Sequence, residues 1–253
     1  MTDVVTREVR DGVAFLRMNR PEKHNAFHRE LSLAVAAQID ELEEDGSIGA
    51  VVLTGSGQAF SAGADMTEAL ASVESGGRGD GMAQAVVRVA GFSKPVIAAI
   101  NGYAFGGGAA LALACDIRIA SERASFRFPG ASYGLVVSGS QLPRIVGPSK
   151  AKELIFTARV VDAGEAQRIG LVDRLVPHDT LDGAAWQMAR EIAQHSPAAL
   201  RWSKAVIDAA TTVEKGIQLE AEANRALRGS DDHVSRFRSA TERVAPGGTE
   251  GGD

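Results

Sequence analysis

The chain has 253 residues, 45% of them hydrophobic and 23% charged, with a formal net charge of −5. That length and composition describe a globular protein with ample core, and the acidic balance speaks against a broad nucleic-acid footprint. A single cysteine, Cys115, rules out a disulfide within the chain, and its apolar neighbourhood suits a small buried hydrophobe better than a nucleophile.

In chain order, Met1–Arg10 mixes charged residues with valine and lacks the apolar stretch of a secretory signal. Val13–Met18 reads as a strand, and Asn19–Lys23 as a turn closed by Pro21. Leu31, Val35, Ile39 and Leu42 recur at helical spacing, which predicts an amphipathic helix over 29–44. Ala50–Thr54 is an unbroken apolar run between glycines, the signature of a strand covered on both faces. Asp65 is placed to cap a short helix over Met66–Leu70.

Ser72–Gly81 reads by composition as a surface loop, with a lid over a neighbouring pocket as the sharper reading. Pro95–Ile100 repeats the buried-strand pattern, followed by a buried helix over Ala109–Ala114 and a strand over Asp116–Ala120. Helices are expected over 148–158 and from Asp162, then a strand over Leu171–Val176. Beyond Pro177 the pattern is helical, over 181–195, 197–210 and 213–228, with Ser196 and Pro197 as cap and first residue. The glycine-rich tail 245–253 is expected to be disordered. Strand–helix alternation ahead of a helical C-terminus argues an α/β fold.

Two glycine-rich segments carry the chemistry. Phe60–Met66 and Gly102–Ala110 each follow an apolar run and lead into a helix. Glycine costs backbone entropy and admits close approach to the main chain. The first N–H groups of the following helix lack internal partners, and its dipole favours negative charge there. The plain reading of Gly106-Gly107-Gly108 is a tight turn; the functional one is a pair of N–H donors that converge on one oxyanion. Each such donor is typically worth about 10²–10³ in rate. The five histidines show no metal-ligand spacing: His24 and His28 are four apart, but the intervening turn argues against a shared helical face. No metal and no cofactor are expected, and no run long enough to cross a membrane appears.

Asn19–Phe27, Phe60–Met66, Ile100–Gly108 and Cys115–Arg118 together resemble the crotonase superfamily, the enoyl-CoA hydratase/isomerase family. Leu142–Gly147, Ala151–Leu154 and Ala163–Val176 extend the resemblance over roughly 10–245. It implies a spiral of ββα units over 1–195 carrying a CoA-thioester site. Residues 196–253 would then be a C-terminal helical oligomerisation region. It also implies homotrimers or dimers of trimers, an acyl-CoA as substrate or ligand, and a lyase or isomerase of fatty acid metabolism; a cytoplasmic location is the default expectation from the lack of a signal or membrane-spanning run. The oxyanion donors match the N–H groups of Ala64 and Gly107. Lys23 and Ala26, with the backbone of Ala62, Asp65 and Met66, match positions lining the CoA site.

The resemblance breaks at two places. Hydratases of this family use two glutamates, and Ala110 and Gly130 stand at those positions. The stretch after them, Gly134–Gln141, is also shortened and altered. Positioned acid–base groups contribute about 10²–10⁴ each. Standard hydration and isomerisation are therefore expected to be weak or absent. Tyr133, Ser138 and Ser140 could supply a hydroxyl to the pocket; Glu68 is placed to face either the acyl pocket or solvent, with solvent preferred, and Asp116 is read as structural. Three functions follow: an enzyme on acyl-CoA with unusual residues, a non-catalytic acyl-CoA binder or carrier, and a structural oligomer with a vestigial pocket.

Overall fold

The computed structural model describes residues 3–75 and 82–244. The first half gives β1 (Val5–Arg10), β2 (Val13–Met18), α1 (Arg29–Glu44), β3 (Ala50–Gly55), β4 (Ala59–Ser61), α2 (Met66–Glu74) and α3 (Ala83–Gly91). Then come β5 (Val96–Ile100), β6 (Tyr103–Phe105), α4 (Gly107–Ala114), β7 (Ile117–Ser121) and β8 (Ser125–Arg127). The second half gives α5 (Leu142–Val146), α6 (Pro148–Thr157), β9 (Val161–Asp162), α7 (Ala163–Arg168) and β10 (Arg174–Val176). It ends with α8 (Leu181–Ala193), α9 (Pro197–Thr211), α10 (Glu214–Leu227) and α11 (Asp231–Val244).

One sheet runs β1-β2-β3-β5-β7-β10, parallel except for the β1–β2 hairpin. A smaller sheet runs β4-β6-β8-β9. Each pass of the chain adds one strand to each sheet: β3 then β4, β5 then β6, β7 then β8. This is the ββα spiral. It sets the glycine segments side by side, because β4 pairs in parallel with β6, and β6 with β8.

Alternation along the buried strands explains their unbroken apolar runs. Val51, Leu53, Val96 and Ala98 face one core, whereas Ala50, Val52, Ile97 and Ala99 face a second core closed by Leu181, Ala185 and Ala189 of α8. Fully burying a side chain such as Leu53 or Ile97 contributes roughly 2 kcal/mol. Arg118, 6% exposed, ties β7 to the β10 approach through Leu171 O, Cys115 O and Asp173. Asp116 accepts from Val96 N and from Lys204 Nζ, both at 2.8 Å, so it is structural.

The structure differs from the sequence reading in several places. Ser72–Glu74 belong to α2, which continues past Leu70 without a Gly or Pro to break it, and Ser75 closes it as a turn; the rest of the expected loop, 76–81, lies outside the described residues, as does the tail 245–253. Leu171–Val176 is strand only from Arg174, because the N–H groups of Leu171 and Val172 turn back to Ala166 O. The helix after the triple glycine starts at Gly107 rather than Ala109.

Candidate active site

Asn25 organises the entry to the site. Its fully buried amide accepts from Arg20 N at 2.9 Å and donates to Ser56 O and Ala59 O at 2.9 and 2.7 Å. The turn that carries Lys23 and Ala26 is thereby locked to the start of β4. Lys23 is exposed and Ala26 buried, with Ala26 N donating to Lys23 O. Ala62 is exposed, and its N–H is taken by His24 O at 2.9 Å.

Asp65 caps α2, accepting from Thr67 N at 3.2 Å and Glu68 N at 3.4 Å, and it pairs with Arg20 at 2.8 Å. Partial burial pushes its carboxyl up, but the Arg20 hydrogen bond and the two N–H groups outweigh that and hold it below the ordinary aspartate value. Its role is to fix the loop. Met66 opens α2 beside it.

Phe27 and Ala64 form a short parallel bridge: Phe27 N donates to Gly63 O, and Asp65 N to Phe27 O. That pattern leaves the Ala64 N–H pointing the other way, without a backbone acceptor among the described residues. Gly107 is the first residue of α4, so its N–H has no intrahelical partner. The two segments touch. A Cβ on Gly63 would lie 2.7 Å from Phe105 O and 3.2 Å from Gly107 N, and Gly63 has φ +96°. A Cβ on Gly108 would lie 2.1 Å from Ser61 O. Only glycine permits this approach.

Met82, just ahead of α3, covers Gly107. Its Sδ occupies the place of a Gly107 Cβ, 1.9 Å from where that carbon would sit. Ala110 lies one turn along α4, half-buried, its N–H donating to Gly106 O. Gly130 is brought to the same end of the site, since Pro129 packs on Gly106 and Gly106 N donates to Arg127 O. The space at Gly130 is filled: a Cβ there would lie 3.0 Å from Leu135 O and 3.1 Å from Val137 Cβ and Cγ2.

Tyr133 and Ser138 belong to a strap, 130–141, held by the C-terminal helices. Val136 N and O bond the Asn224 amide, Ser140 N donates to Glu220, and His233 Nδ1 donates to Tyr133 O at 2.7 Å. The Tyr133 ring packs edge-on against Phe237. Ser138 is 3% exposed at φ +65°, its hydroxyl unpartnered among the described residues.

A cavity of about 290 Å³ lies against Ala64, walled by α1, α2 and the start of α3. Glu68, exposed as the sequence suggested, is also on its wall and accepts from Arg29 N at 2.8 Å. A larger groove, about 930 Å³, runs past the C-terminal end of α4 between α3, α9 and α10; of the candidate residues Ser140 lines it, away from Ala64 and Gly107. Cys115 borders it but is 3% exposed, and burial pushes its thiol up to about 12, so it is inert at neutral pH. Among the described residues no cluster of His, Cys, Asp or Glu could hold a metal ion, and no helix is long and apolar enough to cross a membrane.

Two interleaved sheets with crossing glycine loops at one end define a crotonase-type fold. The family model described as enoyl-CoA hydratase/isomerase matches residues 8–238, and the chain belongs to that family. It is 39% identical to a short-chain-enoyl-CoA hydratase of Clostridium acetobutylicum over 91% of this chain and 92% of the relative. It is 37% identical to a crotonyl-CoA hydratase of Syntrophomonas wolfei over 85% and 86%. Its fold superimposes on the crystal structure of an enoyl-CoA hydratase/isomerase from Xanthobacter autotrophicus with a TM-score of 0.85 at 34% identity, covering 94% of this chain and 93% of that one.

Sequence reasoning missed Met82, Asn25 and the strap's ties to α10 and α11. None carries a local signal; each matters only through a partner distant in the chain.

Proposed function

We propose that the chain binds acyl-CoA thioesters and holds the thioester oxygen between the N–H groups of Ala64 and Gly107. The observation that supports this most is the contact at Gly63, which leaves no room for a single methyl between the two donor segments. Lys23, Ala26 and Ala62, with Asp65 and Met66, then line the approach for the CoA portion. No other cofactor is needed for this role.

Catalysis is the weaker part of the endowment. Two backbone donors stabilise an enolate or tetrahedral oxyanion by about 10²–10³ each. Hydration also needs a proton donor and acceptor worth about 10²–10⁴ apiece. At the two places the family resemblance assigns to glutamates stand the Ala110 methyl and Gly130, with Val137 packed on the latter. Alanine and glycine move no protons, so hydration or isomerisation by the usual route is weak or absent. A binder or carrier of acyl-CoA is the second reading, favoured by the Met82 thioether over Gly107, an aprotic neighbour for the carbonyl.

The C-terminal helices expose Trp202, Val206, Ile207, Val213 and Ile217, an apolar surface suited to self-association as a homotrimer or dimer of trimers. The test is to incubate the protein with crotonyl-CoA and follow the enoyl absorbance, with calorimetry of butyryl-CoA and free CoA in parallel. Binding of butyryl-CoA tighter than CoA, with turnover far below a standard hydratase, is expected. Equal affinity for both ligands removes the carbonyl clamp, and full hydratase turnover removes the assignment of Ala110 and Gly130.

A further inference from the structure

Gly107 is a helical residue outside the left-handed region, so its own backbone does not require glycine. What a Cβ there would meet is the Met82 side chain, with Sδ in the same place, Cε at 3.0 Å and Cγ at 3.4 Å. The missing carbon and the thioether are complementary. Met82 is 9% exposed, whereas Met18 is sealed in the core at 0% and Met188 packs against the second core. Met66 opens α2.

In a helix each Cα–Cβ bond tilts toward the N-terminus, the end at which the first N–H groups point outward. A sulfur in the Cβ place of the first residue therefore stands on the side that its N–H faces. A Cβ lies about 2.5 Å from its own N. One oxygen on that sulfur is enough to reach the Gly107 N–H at an ordinary N–H···O distance of about 2.9 Å. The thioether is itself a weak acceptor. A sulfoxide oxygen carries partial negative charge and accepts strongly, and the dipole of α4 favours that charge at this end. The Ala64 segment adjoins the same point through Gly63, and its N–H has no backbone acceptor among the described residues.

We infer that Met82 is an oxidation site whose sulfoxide oxygen takes the Gly107 N–H, the donor otherwise offered to a thioester. The oxidant is a hydroperoxide. With hydrogen peroxide, the sulfur lone pair forms the S–O bond to one peroxide oxygen as the O–O bond breaks. The second oxygen leaves as water with both protons; sulfur loses two electrons and the peroxide gains them. The chain then carries its own acceptor in the clamp, until a methionine sulfoxide reductase returns the thioether. Exclusion of the thioester rests on the acyl-CoA reading above; capture of the N–H does not.

Treatment of the whole protein with dilute hydrogen peroxide tests this, read by peptide mass spectrometry, amide NMR and calorimetry. One added oxygen is expected at Met82 well before Met18. The Gly107 amide proton should then move downfield, and the preference for butyryl-CoA over free CoA should fall about tenfold. Methionine sulfoxide reductase should restore both. Met82→Leu keeps the volume, a swap that usually costs under about 1.5 kcal/mol, and removes the oxidisable atom. Compared with its own untreated state, it should show neither response. Oxidation of Met82 no faster than Met18, or an oxidised Met82 with the Gly107 amide unmoved, overturns the inference. So does a Met82→Leu variant that responds as wild type, which assigns the effect to another methionine such as Met66. If the untreated protein shows no preference for butyryl-CoA, the acyl-CoA reading falls and the amide shift alone decides the fate of the sulfoxide.

Discussion

Gly63→Ala separates the proposed clamp from a mere tight turn. The residue sits at φ +96°, a conformation that costs an L side chain about 1–3 kcal/mol. Removing glycine also restricts the unfolded chain, which offsets about 0.4–1 kcal/mol of that. The added carbon would lie 2.7 Å from Phe105 O, a main-chain atom that cannot rotate aside, so the two loops must part by several tenths of an ångström. The net destabilisation is about 2 kcal/mol, or ~4–8 °C in Tm for a protein of this size. Oxyanion donors work at about 2.7–3.1 Å, so the same opening takes one N–H out of range. A neutral hydrogen bond contributes about 0.5–1.5 kcal/mol net, so preference for butyryl-CoA over CoA should fall up to ~10-fold. Any turnover through a thioester oxyanion should fall by about 10²–10³. Thermal unfolding and calorimetry read the two effects separately. A Gly63→Ala protein with wild-type Tm and an unchanged butyryl-CoA to CoA ratio would refute the convergence of the loops.

Gly130→Glu alone should lower Tm and confer no hydration of crotonyl-CoA, because its Cβ already meets Leu135 O and Val137 at 3.0–3.1 Å. Shortening the neighbour, in Ala110→Glu/Gly130→Glu/Val137→Ala, is expected to give the first measurable absorbance loss. Asp65→Asn should remove part of the acid sensitivity of folding. The folded Asp65 carboxyl titrates below its unfolded value of ~3.9, so it contributes stability above that pH and loses it as pH falls through the lower folded value. Denaturant titrations between pH 6 and 3 should therefore show a shallower decline in the variant, and an equal decline would assign the acid loss to other carboxylates.

What the sequence disclosed follows from where the physics is local. α1 and the strands β3 and β5 declare themselves because Leu31, Val35, Ile39 and Leu42, and the runs at 50–54 and 95–100, repeat at the spacing their burial demands. β1 was invisible because Thr6, Arg7 and Glu8 lie on an exposed edge and carry no apolar pattern. β4, β6 and β8 are three residues each, too short for alternation to register. α11 was missed as well; among its described side chains, only His233 and Phe237 are well buried. The glycines of the site were legible because glycine is costly where it is not needed. The Met82 thioether was not, since an ordinary methionine acquires meaning only once α3 and α4 share one end of the spiral.

The strap at 130–141 connects α10 to the wall of the site. Glu220 and Asn224 grip it from α10, while Gly130 and Val137 form its inner end. Pressure on the outer side of α10 is therefore carried along a dozen residues to the wall beside Gly106. Should other copies of the chain seat on Ile217 and its neighbours, assembly and ligand capture become reciprocal: whichever comes first alters the equilibrium constant of the second by the same factor. Ligand affinity would then drift with protein concentration, and a dilution series would reveal the tether.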